Sequence, residues 1–253
     1  MKHILLTNDD GFFSEGIQKL FEVLSPKHNV TIVAPDRERS AASHSLTLHN
    51  PLRLKKIREN EFAVDGTPTD CVNLATNVVI KNKIDLVISG INKGQNMGED
   101  ILYSGTVAAA IEAMNLGIPA LAVSLAFSKN FDFTESAEIV EHLLENNILS
   151  ILSEKTVLNI NIPPLSLEEI KGIRVTKLGH RKYTDFIKER IDPRGNPYYW
   201  IGGEAPQWSR AGDTDFDAIH KGFVSITPIT IDMTKYSCFD KVRNWIDKDI
   251  NLK

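Results

Sequence analysis

Two adjacent aspartates, Asp9 and Asp10, are the residues of this sequence best suited to chemistry, because they directly follow a short apolar run at residues 4–6. Adjacent carboxylates repel each other unless a cation or a proton lies between them. In a continued strand the two side chains would point to opposite faces, but Gly11 permits a bend that brings both to one ion. Residues 8–11 are also typical of a plain turn, so a metal site and a turn both remain open at this point.

Two further polar side chains follow other predicted strands. Ser40 comes after the apolar run 30–34, and Asn92 comes after the run 86–89. Ligands of open parallel sheets bind outside the carboxyl ends of the strands, so we expect these residues and Asp9-Asp10 at one edge. Carboxylate, hydroxyl and amide groups all offer oxygen, which suits hard cations such as Mg²⁺ or Mn²⁺.

The segment Ser104-Gly105-Thr106 begins an Ala-rich helix that we expect to reach residue 115. Free N–H groups and the helix dipole at such a start favour a phosphate. Taken alone, a serine here is more often an ordinary cap. The glycine-rich loop expected at residues 90–98 also lets backbone N–H groups approach an anion, and a flexible surface loop is an equal alternative. Its glycine spacing fits neither a dinucleotide fingerprint nor a Walker loop.

The seven histidines include no metal-binding spacing of the His-Glu-x-x-His kind. His44, a few residues past Ser40, is a candidate acid or phosphate donor. A lone histidine is, however, more often a surface or structural residue.

The elements that must position these residues alternate between strand and helix. Strands are expected at 30–34, 86–89, 119–126 and 157–162, and helices at 17–24, 104–115 and 134–147, with another helix starting near Pro68 and capped by Thr69. Such alternation predicts an α/β fold, a Rossmann-like three-layer sandwich with a mostly parallel sheet. Residues 47–64 indicate one or two short inserted strands.

The alternation fades after residue 164. Residues 165–222 are richer in charge, glycine and aromatic side chains, which favours a hairpin or subunit arm, followed by a returning strand at 223–227 and a helix in the last dozen residues. We therefore divide a single overall domain into a catalytic core at 1–164 and an extension at 165–253. The aromatic cluster 198–200 is interpreted as core or interface.

Composition narrows the class of protein. The 253 residues are 42% hydrophobic and 25% charged, with a net charge of −4, so a nucleic-acid polymer is not an expected partner. Two isolated cysteines fit a reducing compartment. Neither a signal peptide nor a run of ~18 apolar residues is found, so we expect a cytoplasmic protein with no membrane partner.

Taken together, the motifs resemble those of the SurE family, the stationary-phase survival proteins, a group of metal-dependent nucleotidases. No single motif is decisive, but the ordered set spans most of the chain. The matching segments are Ile4-Leu5-Leu6-Thr7-Asn8-Asp9-Asp10-Gly11, Ala34-Pro35-Asp36, Arg39-Ser40-Ala41, Ser43-His44-Ser45, Gly66-Thr67-Pro68-Thr69-Asp70-Cys71, Ser89-Gly90-Ile91-Asn92-Lys93-Gly94-Gln95-Asn96, Ser104-Gly105-Thr106-Val107 and Ser225-Ile226-Thr227-Pro228.

The resemblance implies roles for individual residues. It implies one divalent metal per subunit, Mg²⁺ or Mn²⁺, held by Asp9, Asp10, Ser40 and Asn92. It suggests Asn96 and residues 104–106 for the phosphate, with Asp9, Asp10 and Asn96 as the catalytic groups. It also implies hydrolysis of 5′- and 3′-nucleotides, with short polyphosphate for some members, and a homodimer or homotetramer formed through the C-terminal region.

Two other functions stay open from the sequence. A haloacid-dehalogenase-type phosphatase would use an aspartyl nucleophile, but it usually carries Asp-x-Asp after the first strand, whereas these carboxylates are adjacent. A non-catalytic nucleotide-binding sensor would use the same loops without cleaving the ligand.

Overall fold

The computed structural model describes residues 1–128, 132–152, 155–182, 187–201, 207–208 and 212–249. The strands are β1 (His3–Thr7), β2 (Asn29–Pro35), β3 (Leu54–Arg58), β4 (Glu61–Val64), β5 (Leu86–Lys93), β6 (Ala120–Leu125), β7 (Val157–Ile162), β8 (Ile173–Val175), β9 (Arg181–Lys182), β10 (Ile187–Ile191), β11 (Pro197–Ile201), β12 (Gln207–Trp208) and β13 (Val224–Ile229). The α-helices are α1 (Glu15–Leu24), α2 (Pro68–Leu74), α3 (Gly105–Asn115), α4 (Thr134–Glu145), α5 (Asp215–His220) and α6 (Phe239–Asp249).

In the described part of the chain, the main sheet has nine strands in the order β3-β4-β2-β1-β5-β6-β7-β13-β8. Within this order, the six consecutive strands β4-β2-β1-β5-β6-β7 are parallel to one another. The two antiparallel pairings in this sheet are β3 with β4 and β13 with β7. The mostly parallel α/β sheet predicted from the alternation is therefore confirmed.

Both faces of the sheet are covered, because successive side chains of each strand point to opposite sides. Ile4 and Leu6 of β1 pack in the cluster that contains residues of α1 and α4. Leu5 packs in the second cluster, with residues of α2 and α3. All three side chains are fully buried, so β1 lies at the centre of the fold and holds its carboxyl end in a fixed position.

The strand β5 is longer than predicted. A loop was expected from Gly90, but the strand continues to Lys93 because pairing with β6 resumes at Asn92 after a register shift. Asn92 therefore belongs to the end of the strand and not to a loop that follows it.

The start of α2 also differs from the prediction that Thr69 is its cap. The N-cap is Thr67, whose hydroxyl accepts the Asp70 N–H while the Asp70 carboxylate accepts the Thr67 N–H. Pro68 occupies the first turn, where a missing N–H costs nothing. Thr69 is already helical and fully buried, so it cannot act as the cap.

The C-terminal part contributes to the same sheet, since β13 pairs with β7 and β8 pairs with β13. The expected hairpin is formed by β10 and β11. The terminal helix begins at Phe239, earlier than predicted, and residues 250–253 of that prediction lie outside the described residues. None of the helices described is long and apolar enough to cross a membrane. The division at residue 164 stays a prediction.

The capping box of α2 generates a stability prediction. Thr67→Ala should lower the free energy of unfolding by roughly 1–2 kcal/mol, because it removes the cap. Thr69→Val is the matched control: within the described residues the buried Thr69 hydroxyl has no hydrogen-bond partner, so stability should stay equal or rise. Urea denaturation of both variants measures the difference. A larger loss in Thr69→Val than in Thr67→Ala would contradict this account of the helix start.

Candidate metal and phosphate site

The candidate site lies where the sheet order reverses. The strand β1 pairs in parallel with β2 on one side and with β5 on the other, so the chain leaves the carboxyl ends of all three strands at one edge. Connections run away from β1 in both directions, which opens a crevice beside its end. The prediction that these strand ends share an edge is thus confirmed.

The turn after β1 is closed by Asn8. Its side-chain oxygen accepts the Gly11 N–H at 3.2 Å, and its amide nitrogen donates to the Gly11 carbonyl and to the Ser14 hydroxyl. Gly11 has φ +100°, and a Cβ there would lie 2.9 Å from the backbone of Arg37. Glycine is therefore required, and the bend sets the directions of Asp9 and Asp10.

Asp9 is almost completely buried, at 5% exposure, against the start of α3. Its carboxylate accepts a hydrogen bond from the Thr106 hydroxyl. A Cβ on Gly105 would lie 2.8 Å from the Cβ of Asp9, so the helix approaches this closely only because residue 105 is glycine. The pKa of Asp9 is raised to about 6, chiefly by burial; the hydrogen bond from Thr106 opposes this rise and the charge of Asp10 adds to it.

Asp10 lies on the β5 side of the crevice. Its carboxylate accepts the Lys93 N–H at 2.9 Å, which joins the ends of β1 and β5. Burial raises the pKa of Asp10, the Lys93 N–H lowers it, and the charge of Glu38 raises it. Both carboxylates therefore sit in surroundings that disfavour their negative charge.

Ser40, on the loop after β2, and Asn92, at the end of β5, flank this pair. The Arg39 N–H donates to the Asp9 carbonyl at 2.7 Å, which holds the Ser40 segment beside Asp9. The Ser40 hydroxyl donates to Glu38 and keeps its oxygen as an acceptor. The Asn92 amide nitrogen donates to the Gly94 carbonyl at 2.7 Å, which likewise leaves the carboxamide oxygen as an acceptor.

Asn96 is held by three side chains from the strands beside it. Its N–H donates to Asn161 at 2.9 Å, and its carbonyl accepts from Asn159 at 2.8 Å and from Asn161 at 3.0 Å. Its side-chain nitrogen donates to the Ser124 hydroxyl. Our sequence reasoning missed Asn159 and Asn161, although asparagine at alternate positions of an otherwise apolar strand is itself a signal.

The start of α3 places the predicted phosphate residues together. Ser104 is the N-cap, and its hydroxyl accepts the Val107 N–H at 3.1 Å. Capping, the alternative left open by the sequence, is therefore present. The hydroxyl of Thr106 donates its hydrogen bond to Asp9. We therefore expect this segment to attract an anion through the free N–H groups and the dipole of the helix N-terminus.

His44 has a protein partner. Its Nε2 lies 2.8 Å from a carboxylate oxygen of Glu112 on α3, and its side chain is 35% exposed. The other Glu112 oxygen accepts from Asn73. These contacts tie the loop that carries His44 to α3; a role as acid or phosphate donor stays a prediction.

The sequence and the fold were compared with known proteins. The family model described as "Survival protein SurE" matches residues 4–185. This chain belongs to the SurE family. It is 48% identical over 250 residues to the 5'-nucleotidase SurE of Aeromonas hydrophila, covering 96% of this chain and 98% of that one. The 5'-nucleotidase SurE of Carboxydothermus hydrogenoformans is 47% identical over 253 residues, with 96% of each covered.

A solved structure agrees with this assignment. The crystal structure of the SurE protein from Aquifex aeolicus superimposes with a TM-score of 0.86 at 45% identity, over 96% of this chain and 98% of that chain. The SurE fold therefore extends over the core and the C-terminal part alike.

The residues of this SurE chain fit a divalent cation. Within the described residues, no group of three or more His, Cys, Asp or Glu side chains is arranged to hold a metal, so a site here needs neutral oxygen ligands as well. Asp9 and Asp10 provide two charged oxygens, and Asn92 and Ser40 provide neutral ones. Hard cations accept such a set, and a cation bound to both carboxylates would offset the negative charges that burial disfavours.

The buried charge of Asp9 predicts how the metal-free protein responds to pH. The pKa of Asp9 in the folded protein, about 6, exceeds its ordinary value of 3.8, so the folded state binds this proton more tightly. The contribution of Asp9 to the free energy of unfolding is then fully present below about pH 4 and is lost as the pH rises through 6. We expect Asp9→Asn to match or exceed the wild type in Tm at pH 7.5 in chelator.

Addition of Mn²⁺ should then reverse the order of stability. Cation binding to the folded state raises the Tm of the wild type, whereas Asp9→Asn loses a charged ligand and should respond far less. Thermal unfolding with and without Mn²⁺ measures both effects. An equal Mn²⁺ shift in the two proteins would show that Asp9 is not a ligand.

Proposed function

We propose that this chain is a divalent-metal-dependent 5′-nucleotidase that hydrolyses nucleoside 5′-monophosphates to nucleoside and phosphate. The observation that carries the proposal is the contact between Asp9 and the start of α3 through Gly105 and Thr106. It puts a carboxylate pair that favours a cation directly beside a helix N-terminus that favours an anion. A phosphomonoester with its metal combines these two charges.

The roles in this proposal are those that the resemblance to the SurE family implies, and the positions of the residues support them. Asp9, Asp10, Ser40 and Asn92 hold one ion per subunit, Mg²⁺ or Mn²⁺. When bound, the ion lowers the pKa of a water and offsets charge on the phosphoryl oxygens. Asp9 or Asp10 accepts the proton of the attacking water.

The remaining groups act on the phosphate. Asn96 and the N-terminus of α3, at residues 104–106, stabilise the charge on the phosphoryl oxygens. The leaving oxygen takes its proton from water or from His44. Asn159 and Asn161 bind the N–H and the carbonyl of Asn96. Because its main chain is fixed in this way, the Asn96 side chain has little freedom of direction.

Substrate range and assembly are finer parts of the proposal. The same groups act on 3′-nucleotides and on short polyphosphate, because they contact the phosphate alone. The chain forms a homodimer or homotetramer through the C-terminal region and works in the cytoplasm. Exposed apolar side chains on the β10–β11 hairpin support this assembly: Ile187, Ile191, Tyr199, Trp200 and Ile201 are all more than half exposed.

The first experiment measures phosphate release from a panel of substrates, first in chelator and then with Mg²⁺ or Mn²⁺. The panel holds 5′- and 3′-nucleoside monophosphates, p-nitrophenyl phosphate and short polyphosphate. We expect metal-dependent release that is strongest on 5′-nucleotides. Tight nucleotide binding without release under any metal would indicate a sensor instead, and a trapped phospho-enzyme would indicate an aspartyl nucleophile.

The variant Asp9→Asn tests the assigned role of the carboxylate. Its kcat should fall roughly a hundredfold or more, in line with the loss of one pre-organised electrostatic group. Asp65→Asn is the matched control, because Asp65 holds the Arg53 N–H in a turn before α2 and contacts none of the proposed groups. Near-normal turnover by folded, metal-loaded Asp9→Asn would remove Asp9 from the mechanism.

A further inference from the structure

A buried carboxylate outside the site, Asp215, is bonded to the segment that carries Asn96. One oxygen of Asp215 accepts the Gly98 N–H at 2.8 Å. The other accepts the N–H groups of Gly179 and Phe216, each at 2.9 Å. Asp215 is fully buried, so these bonds are made away from water, where charge-assisted hydrogen bonds are strong. We call these four residues the Asp215 junction.

The backbones in the junction are in direct contact. Gly98 has φ +55°, and a Cβ there would lie 2.6 Å from the Gly179 carbonyl oxygen. A Cβ on Gly179 would collide with the Phe216 ring and lie 2.9 Å from the Asp215 carboxylate. A side chain at Gly98 would therefore push the Asn96 segment away from the C-terminal part, and one at Gly179 would displace Asp215 and Phe216, on which the bond to Gly98 depends.

The C-terminal side of the junction is itself fixed. The Asp215 N–H donates to the Lys177 carbonyl and the Lys177 N–H donates to the Asp213 carbonyl, both at 3.0 Å. One residue beyond Gly179, the His180 Nδ1 lies 2.6 Å from a carboxylate oxygen of Glu99. Residues 98–99 and 179–180 are thus joined twice, by the buried carboxylate and by a surface contact between His180 and Glu99.

We propose that Asp215 is a positioning residue for phosphate hydrolysis, which sets the place of Asn96 through Gly98 and couples it to the C-terminal extension through Gly179. The inference rests on the proposed function, in which Asn96 acts on the phosphate. Asn159 and Asn161 of β7 bind Asn96 from the sheet. Asp215 of α5 binds Gly98, two residues further along, from the C-terminal part. With the carboxylate altered, the sheet side would still hold Asn96, but among the described residues the C-terminal side would be held only by the exposed contact between Glu99 and His180.

Replacement of the carboxylate by an amide is a sharp test. Two carboxylate oxygens accept all three N–H groups, whereas an asparagine has one oxygen and an NH2 group that must face at least one of these donors. Asp215→Asn should lower kcat roughly 10- to 100-fold, as expected for a small displacement of a group that acts in the transition state, with a much smaller change in KM. The loss should be equal on nucleotides and on p-nitrophenyl phosphate, because the base takes no part.

Matched variants separate positioning from general damage. Asp217 lies on the same helix, but its carboxylate pairs with Lys221 and Arg174, away from Gly98. The kcat of Asp217→Asn should therefore stay within about twofold of the wild type. Gly179→Ala should lower kcat roughly tenfold by displacement alone. Its control is Gly212→Ala, where a Cβ meets open space.

Amide hydrogen exchange supplies the readout that does not depend on turnover. In Asp215→Asn, exchange should rise at residues 96–98 and 179 while the amides of β1 and β6 keep wild-type protection. This inference would be overturned if the wild type is active and Asp215→Asn has the same kcat. It would also be overturned if Asp215→Asn loses kcat while exchange rises equally throughout the protein. A wild type without metal-dependent phosphate release would overturn the proposed function itself.

Discussion

The burial of a carboxylate beside a second carboxylate is the constraint around which this protein is organised. Asp9 is surrounded by β1, by the loop that carries Ser40 and by the start of α3, and its pKa rises to about 6 because it has lost water. Asp10 follows it directly, so neither charge can move away from the other. A fold gains nothing in stability from such a pair, and its presence at a sheet edge therefore points to function.

The surroundings of the pair are made of backbone more than of side chains. The Arg39 and Lys93 N–H groups bond to Asp9 and Asp10, and the glycines at 11 and 105 leave room for the chain to come this close. Backbone groups are held by the sheet and by the helix, so they do not have to be ordered when a substrate binds. This pre-organisation is what an electrostatic mechanism requires.

The Asn96 segment is held in the same manner, by polar side chains that are themselves buried. Asn159, Asn161 and Asp215 have no exposed surface and direct their hydrogen bonds to main-chain atoms. A buried polar group without partners would destabilise the fold, so each of these side chains and the segment that it binds specify one another. The Asn96 segment consequently depends on residues of β7 and α5, which lie far away in the chain.

Much of this could be predicted from local sequence signals. The apolar run before Asp9 and the strand-helix alternation indicate the parallel sheet, and the rule for strand ends brings Asp9, Asn92 and the Ser40 loop to one edge. The rest depends on contacts that no local pattern encodes. The strand β5 passes Gly90 only because β6 offers new partners, whereas the capping box of Thr67 and Asp70 is a local signal that the choice of Thr69 overlooked.

The bonds of Asn161 and Asp215 to the Asn96 segment span 65 and 117 residues, respectively, so their sequence neighbours give no hint of them. The proposed metal site combines side chains at or just after three strand ends, and its most direct test is to see the ion. We would collect anomalous diffraction from crystals grown with Mn²⁺. We expect one strong peak within coordination distance of oxygens of both Asp9 and Asp10. If the Mn²⁺-loaded protein is fully active but the peak lies elsewhere, with none between these carboxylates, the proposed metal site is wrong.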